Sequence, residues 1–318
     1  MTRNIDLLLT AIAPAIWGST YLVTTEFLPG GHPLTVAMLR ALPAGLLLML
    51  FVRQLPGAGW WGRVFILGAL NFSIFWWMLF VAAYRLPGGV AATVGAIQPL
   101  LVILFARALL GTPVRAFSII AAAAGMAGVA LLILTPQAAL DPIGIAAGLV
   151  GAVSMGAGTV LSRRWQPPVS PLTFAAWQLT AGGLLLLPAA LWLEPYPSEL
   201  TGANVFGLAY LGLIGAALTY FLWFRGIAKL EPSVVSPLGL LSPMTAVILG
   251  WWILGQHLSP AQIAGMVIVL ASVWLGQHVA PTEPPAALPG PSGRADLISS
   301  QGRIDVRDRL VDTGVPHV

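Results

Sequence analysis

Long apolar runs dominate the chain, and its charged positions fall mostly between the runs rather than inside them. A helix that crosses a bilayer needs about 20 mostly apolar residues. Ten segments have that length and character: 5–27, 33–53, 62–84, 88–108, 115–135, 141–162, 171–193, 204–227, 232–254 and 260–280. The pattern predicts an all-α integral membrane protein of ten transmembrane helices with short connections. The first run, with Arg3 ahead of it and small residues at Ala11, Ala13 and Ala15, has the outline of a secretory signal peptide. Its apolar stretch continues past the would-be cleavage site, which favours a spanning helix.

Composition strengthens this picture. The chain is 58% hydrophobic and only 8% charged, against roughly 25% charged residues in soluble domains, and its mean hydropathy is +0.88. The net charge of +4 does not point to nucleic acid, because the arginines are dealt out in ones and twos between apolar runs. That distribution is topological. A cytoplasmic N-terminus puts Arg3, Arg53, Arg63, Arg107, Arg115, Arg163, Arg164, Arg225 and Lys229 at or near inner helix ends, and only Arg40 and Arg85 on the outer side. Both termini are therefore expected in the cytoplasm. Trp60, Trp61, Trp165, Trp192, Trp223, Trp251 and Trp252 lie near predicted helix ends and read as interface anchors. The absence of cysteine excludes disulfides, thiolate metal sites and cysteine nucleophiles.

The chain is also written twice. HPLTVAMLRALPAGLLLML, from position 32, lies over SPLTFAAWQLTAGGLLLLP, from position 170, without a gap. Further on, LGALNFSIFWW lies over LGLIGAALTYF, and the alignment continues to match Gly68 with Gly212, Gly95 with Gly239 and Pro99 with Pro243. The expected organisation is a first five-helix repeat over 1–136, a second over 137–280 and a disordered cytoplasmic tail over 281–318, which opens PTEPPAALPGPSG. Five is odd, so the second repeat enters the membrane from the opposite side. Inverted repeats are an architecture of alternating-access transporters.

The matched prolines mark candidate chemistry. Proline has no amide hydrogen, so the carbonyl four residues earlier loses its helical partner: Pro99 frees Gly95 and Pro243 frees Gly239. The two prolines are either hinges at a central site or kinks that fit neighbouring helices. Gly144, Gly148, Ala152 and Gly156 recur at every fourth residue and read as a close helix contact. Trp17, Trp76, Trp77, Trp177 and Tyr220 lie deeper than an interfacial belt and are candidates to line a cavity or to fill the core. Tyr21, Gln98 and Ser242 join the candidate substrate-binding set, as do Asn71 and Gln178, neutral amides whose burial unpaired is costly. Arg40 interrupts an otherwise apolar run about 10 Å from its outer end at 1.5 Å per residue. It pairs with Glu26, snorkels to water, or receives a substrate carboxylate.

The stretches AIWGSTYLV, PLTVAMLR, YRLPGGVAATVGAIQPLL and GQHLSPAQIAGMVIVLASV together resemble the drug/metabolite transporter superfamily, in particular its EamA-like ten-helix exporters of pigments, amino acids and metabolites. The resemblance covers residues 5 to 280. It implies a bacterial inner-membrane carrier whose cavity is formed by helices one to four and six to nine, with five and ten peripheral. Family members often carry Gly-Glu before helices five and ten, where this chain has Gly111-Thr112 and Gly255-Gln256. The expected activity is export of small amphipathic metabolites by alternating access, with aromatic or large apolar amino acids leading. A multidrug or pigment efflux permease of the same fold is the alternative, and an integral membrane enzyme the remote one. No metal, cofactor or nucleic acid is expected. The expected partners are a small-molecule substrate and the lipid bilayer, with the protein a monomer or weak homo-oligomer.

Overall fold

The protein is described by a computed structural model over residues 2–28, 32–85, 94–133, 141–195, 200–255 and 259–278. The tail expected to be disordered lies outside the described residues, as does 86–93 at the head of the fourth predicted span. Among the described residues all regular structure is helical, in ten rods. The first two are α1 (Thr2–Phe27) and α2 (Pro33–Val52). Rod α3 runs as Trp61–Gly68, a π-helical turn Ala69–Ser73 and Ile74–Arg85. Then come α4 (Gln98–Leu110), α5 (Ala116–Ile133), α6 (Pro142–Arg164) and α7 (Pro171–Leu193). Rod α8 is Gly202–Gly212, a π-helical turn Leu213–Leu218 and Thr219–Lys229. Rod α9 is Pro232–Val235, a 3-10 turn Ser236–Leu240 and Leu241–Leu254, and α10 is Pro260–His278.

Seven rods (α1, α2, α3, α6, α7, α8 and α9) contain stretches long and apolar enough to cross a membrane, while α4, α5 and α10 are shorter apolar helices. Large apolar side chains such as Leu50, Phe51, Trp192 and Trp252 face outward, the arrangement that a hydrocarbon solvent favours. This is a multi-pass membrane protein.

Local sequence explains where the rods begin and end. Proline occupies the first turn of α2, α6, α7 and α9, where its missing N–H costs nothing. Asp141 caps α6 by accepting from the Gly144 N–H at 2.9 Å. That hydrogen bond, helped by the Ile143 N–H and Arg85, holds its carboxyl below the usual range. Gly111 and Gly255, at matched positions, close α4 and α9 with φ of 72° and 65°, a left-handed conformation that glycine adopts without penalty.

Contacts between ends fix the direction of each rod. Asp6, near the start of α1, pairs with Arg225 (2.5 Å) and Lys229 (3.4 Å) at the end of α8. Arg163, at the end of α6, donates to the carbonyls of Ile227 and Ala228 at that same end. At the opposite end, Arg85 finishing α3 pairs with Asp141 starting α6 at 3.5 Å, and Asn204 starting α8 donates to the Phe27 carbonyl finishing α1. Thus α1 and α6 start at opposite ends of the bundle.

Glu194 belongs to the same end as Arg85. Its two carboxylate oxygens accept from the Leu34 and Thr35 N–H groups at 2.7 and 2.8 Å. His32, the residue ahead of α2, supplies no side-chain cap, so the end of α7 caps the start of α2. Glu194→Ala is expected to cost about 1–2 kcal/mol, the usual loss of a good cap, read as a lower thermal midpoint of the detergent-solubilised protein. An unchanged midpoint would mean that water replaces the carboxylate at no cost.

The rods pack through small residues. A Cβ on Gly45 of α2 would stand 2.5 Å from the Thr180 nitrogen of α7, and one on Gly183 of α7 would stand 2.6 Å from Cα of Leu42. In the internal alignment Gly45 matches Gly183 and Leu42 matches Thr180, so the contact is reciprocal. Rods α5 and α10 meet in the same close manner, Gly128 against the Gly265 carbonyl and Gly125 against the Ser272 hydroxyl.

Candidate functional site

A cavity of about 150 Å³ lies among α1, α3, α4, α6, α8 and α9. It is where the two matched Gly-Pro pairs meet: Gly95, ahead of α4, and Pro99, in its first turn, line it together with Gly239 and Pro243 from α9. Each pair accompanies broken helix. Ahead of Pro99 the chain turns at Ala96 and Ile97 before α4 restarts at Gln98, and ahead of Pro243 it tightens into the 3-10 turn Ser236–Leu240. A Cβ on either Gly95 or Gly239 would meet nothing within 4 Å. The backbone at both breaks borders open space.

Trp17, Gln98 and Ser242 complete the predicted residues found in the lining. The remainder is mainly apolar: Phe75, Leu79 and Ala82 from α3, Met155 from α6, and the Gly148, Gly151 and Ala152 face of the same helix. Gly148 and Ala152 of the small-residue stripe thus border the cavity, and Gly148 is also in close approach to Val94. None of the described lining residues is charged. Among the described residues no group of three or more His, Cys, Asp or Glu side chains is placed to hold a metal.

Tyr220 and Trp76 lie behind this wall in a buried aromatic cluster. Ring centroids are 5.0 Å apart for Trp17 and Tyr220, 4.5 Å for Phe72 and Tyr220, and 5.2 Å for Phe72 and Trp76. Trp77 is largely exposed on the outer face. Trp177 is buried elsewhere, its indole N–H donating to the Gln54 carbonyl at 2.6 Å. The side chain of Tyr21 lies outside the described residues.

Arg40, Asn71 and Gln178 do not line the cavity; they hold the two π-helical turns. Arg40, 4% exposed, donates through Nη2 to the Gly215 carbonyl in the turn of α8 at 2.7 Å, and its guanidinium lies 4.6 Å from the Trp76 ring centroid. Thr219 donates to the same carbonyl at 2.9 Å and accepts from the Trp17 indole at 2.9 Å. In the turn of α3, Asn71 donates to Gln178 Oε1 at 2.8 Å and to the Ser162 hydroxyl at 3.1 Å, while Ser154 donates to the Leu70 carbonyl. Arg40 matches Gln178 in the internal alignment, and Asn71 matches Gly215. Thus α2 holds the π-helical turn of α8, and α7 that of α3. Glu26, the pairing considered for Arg40, is exposed.

Besides apolar wall residues such as Phe75 and Met155, two cavity residues with hydrogen-bonding groups lie outside the candidate set read from the sequence. Trp223, expected at the membrane interface, is 1% exposed and lines the cavity beside Trp17, with ring centroids 5.1 Å apart. Ser236 opens the 3-10 turn of α9. Its only sequence signal is its place three residues ahead of Gly239.

Comparison with known proteins bears on what such a bundle does. The EamA-like transporter family matches the chain twice, over residues 4–134 and 142–276. Protein PecM of Dickeya dadantii is 47% identical over 269 residues, 84% of this chain and 90% of that one. The inner membrane transporter YedA of Escherichia coli K12 is 28% identical over 86% of this chain and 91% of its own. The transporter YvbV of Bacillus subtilis is 26% identical over 84% and 90%. A solved crystal structure shares the fold with a TM-score of 0.75 at 20% identity, over 86% of this chain and 98% of that one. With the family matching both halves and a relative nearly half identical along most of its length, this membrane protein belongs to the EamA-like transporter family.

Proposed function

We propose that the protein is a secondary transporter that exports small amphipathic metabolites across a bacterial inner membrane by alternating access, with aromatic and large apolar amino acids the leading class. In this reading all ten rods span the membrane, the repeats over 1–136 and 137–280 are inverted about an axis in the membrane plane, and both termini are cytoplasmic. The observation that carries it is the meeting of both Gly-Pro breaks at one cavity. Interrupted helices at corresponding positions of two halves are how such carriers build a central site.

Three further observations support the inversion. The helix directions place the starts of α1 and α6 at opposite ends. The α2/α7 contacts are reciprocal, as contacts across a two-fold axis must be. The locks at Arg40–Gly215 and Gln178–Asn71 exchange partners in the same way. Pro99 and Pro243 act as bending points when access changes sides.

Counterflow in proteoliposomes tests the proposal. Vesicles loaded with unlabelled phenylalanine and diluted into labelled phenylalanine should show transient accumulation, and repeating the assay with and without a pH gradient reports the coupling. The double variant Pro99→Ala, Pro243→Ala restores two helical donors and should slow exchange several-fold at normal expression, because the helices that must bend become continuous. Full exchange by that variant reduces the prolines to packing kinks. No counterflow by the unmodified protein with any amino acid or apolar metabolite removes the substrate class.

A further inference from the structure

Two residues of the cavity wall carry buried hydrogen-bond donors that no group among the described residues satisfies. Trp223 is 1% exposed and Ser236 3% exposed. The Trp223 indole nitrogen and the Ser236 hydroxyl both lack a partner in the structure. Both residues line the cavity, Trp223 from α8 and Ser236 from α9. A buried polar group left without a hydrogen bond is costly, and two of them at one cavity call for a ligand. An indole N–H donates only, so the ligand must bring an acceptor.

The rest of the lining restricts that ligand further. Among its described residues there is no Lys, Arg or His to neutralise an anion and no Asp or Glu to neutralise a cation, and a charge entering unpaired would lose its hydration without compensation. Arg40, the sequence candidate for a carboxylate, is committed to the Gly215 carbonyl and to the Trp76 ring. Most of the wall is apolar, and a cavity of about 150 Å³ accepts one aromatic ring the size of benzene.

We propose that Trp223 and Ser236 form the polar corner of the substrate site, and that the preferred substrate is uncharged, with an apolar or aromatic body and a carbonyl oxygen that accepts from both donors. The assignment rests on the transport reading of the cavity and moves its leading class from the zwitterionic free amino acid to neutral compounds: the neutral amide or ester of an apolar compound binds better than its free acid. Gln98 and Ser242, also in the lining, offer further hydrogen bonds to the substrate's own N–H or O–H groups.

Titration of the full-length protein in lipid nanodiscs with benzamide, benzoate and toluene tests this by calorimetry, without vesicles or gradients. Benzamide should bind more tightly than benzoate. The double variant Trp223→Phe, Ser236→Ala should weaken benzamide by about tenfold or more, since a site built around a hydrogen bond discriminates strongly, and should leave toluene unchanged. Ser236→Ala alone, a smaller change, should give part of the loss and guards against a packing defect at Trp223. Benzoate binding as tightly as benzamide, no benzamide binding, or equal benzamide affinity in all variants would overturn the assignment. Failure here with counterflow intact refutes only the polar corner, whereas absent counterflow with benzamide still bound refutes the transport reading and leaves the corner standing.

Discussion

One methyl group added at Gly183 is expected to cost about 1–3 kcal/mol, the usual penalty for overpacking, and the double variant Gly45→Ala, Gly183→Ala is expected not to survive extraction in detergent as a folded protein. The reason lies in how helices associate in lipid. Apolar tails solvate apolar side chains as well as protein does, so close backbone approach at small residues holds the rods together. At the α2/α7 crossing the approach is limiting. A Cβ on Gly183 would stand 2.6 Å from both Cα and Cβ of Leu42, and one on Gly45 would stand 2.8 Å from Cα of Thr180 as well as near its amide nitrogen. Those atoms belong to the backbone or its first carbon and cannot rotate away, so the helices must separate. The intrinsic helix preference for alanine over glycine, up to about 1 kcal/mol, acts the other way. Gly62→Ala and Gly202→Ala isolate that opposing effect, because a Cβ at either position meets nothing within 4 Å. Thermal midpoints by fluorescence-detected size exclusion should be unchanged or raised for these controls and lowered for Gly183→Ala. A midpoint for Gly183→Ala no lower than that of the controls would refute the close crossing.

The features that were legible in the sequence share a physical origin. An apolar run of bilayer length has few alternatives to a spanning helix, and a proline lacks its N–H wherever it stands. The helical bundle and the Gly95–Pro99 and Gly239–Pro243 breaks could therefore be read from local chemistry alone. The π-helical turns could not. ALNFS and LIGAAL hold no proline, and the widened turns are supported from outside by Gln178 and Ser154 in α3 and by Arg40 in α8. Tryptophans were misjudged for a related reason. Trp192 is 86% exposed and Trp223 only 1%, although both sit near the end of an apolar run. The difference comes from neighbours: the last turns of α8 are clasped by α1 through Asp6 and by α6 through Arg163, which extends the buried core to the helix end. Depth along a helix is local information. Burial is set by the partner rods.

Arg40 carries the second large effect. Its guanidinium, nearly sealed from solvent, donates to the Gly215 carbonyl and lies over Trp76, so Arg40→Ala removes a charge-assisted hydrogen bond of about 1.5–3 kcal/mol and a cation–π contact of about 0.5–2 kcal/mol. Thr219 still donates to Gly215, which keeps the carbonyl from being orphaned and limits the loss. Arg40→Lys separates the roles more cleanly, because it keeps the charge but loses the planar fork that both contacts use. If Arg40 holds the π-helical turn of α8, Arg40→Lys lowers the thermal midpoint and slows phenylalanine and phenylalaninamide counterflow to the same extent, since the damaged element is the helix and not the contact with a carboxylate. Glu26→Gln, at an exposed position, should change neither. A selective loss of phenylalanine transport by Arg40→Lys, with the amide and the midpoint unaffected, would instead make Arg40 the receptor of a substrate carboxylate and would require it to leave Gly215 during transport.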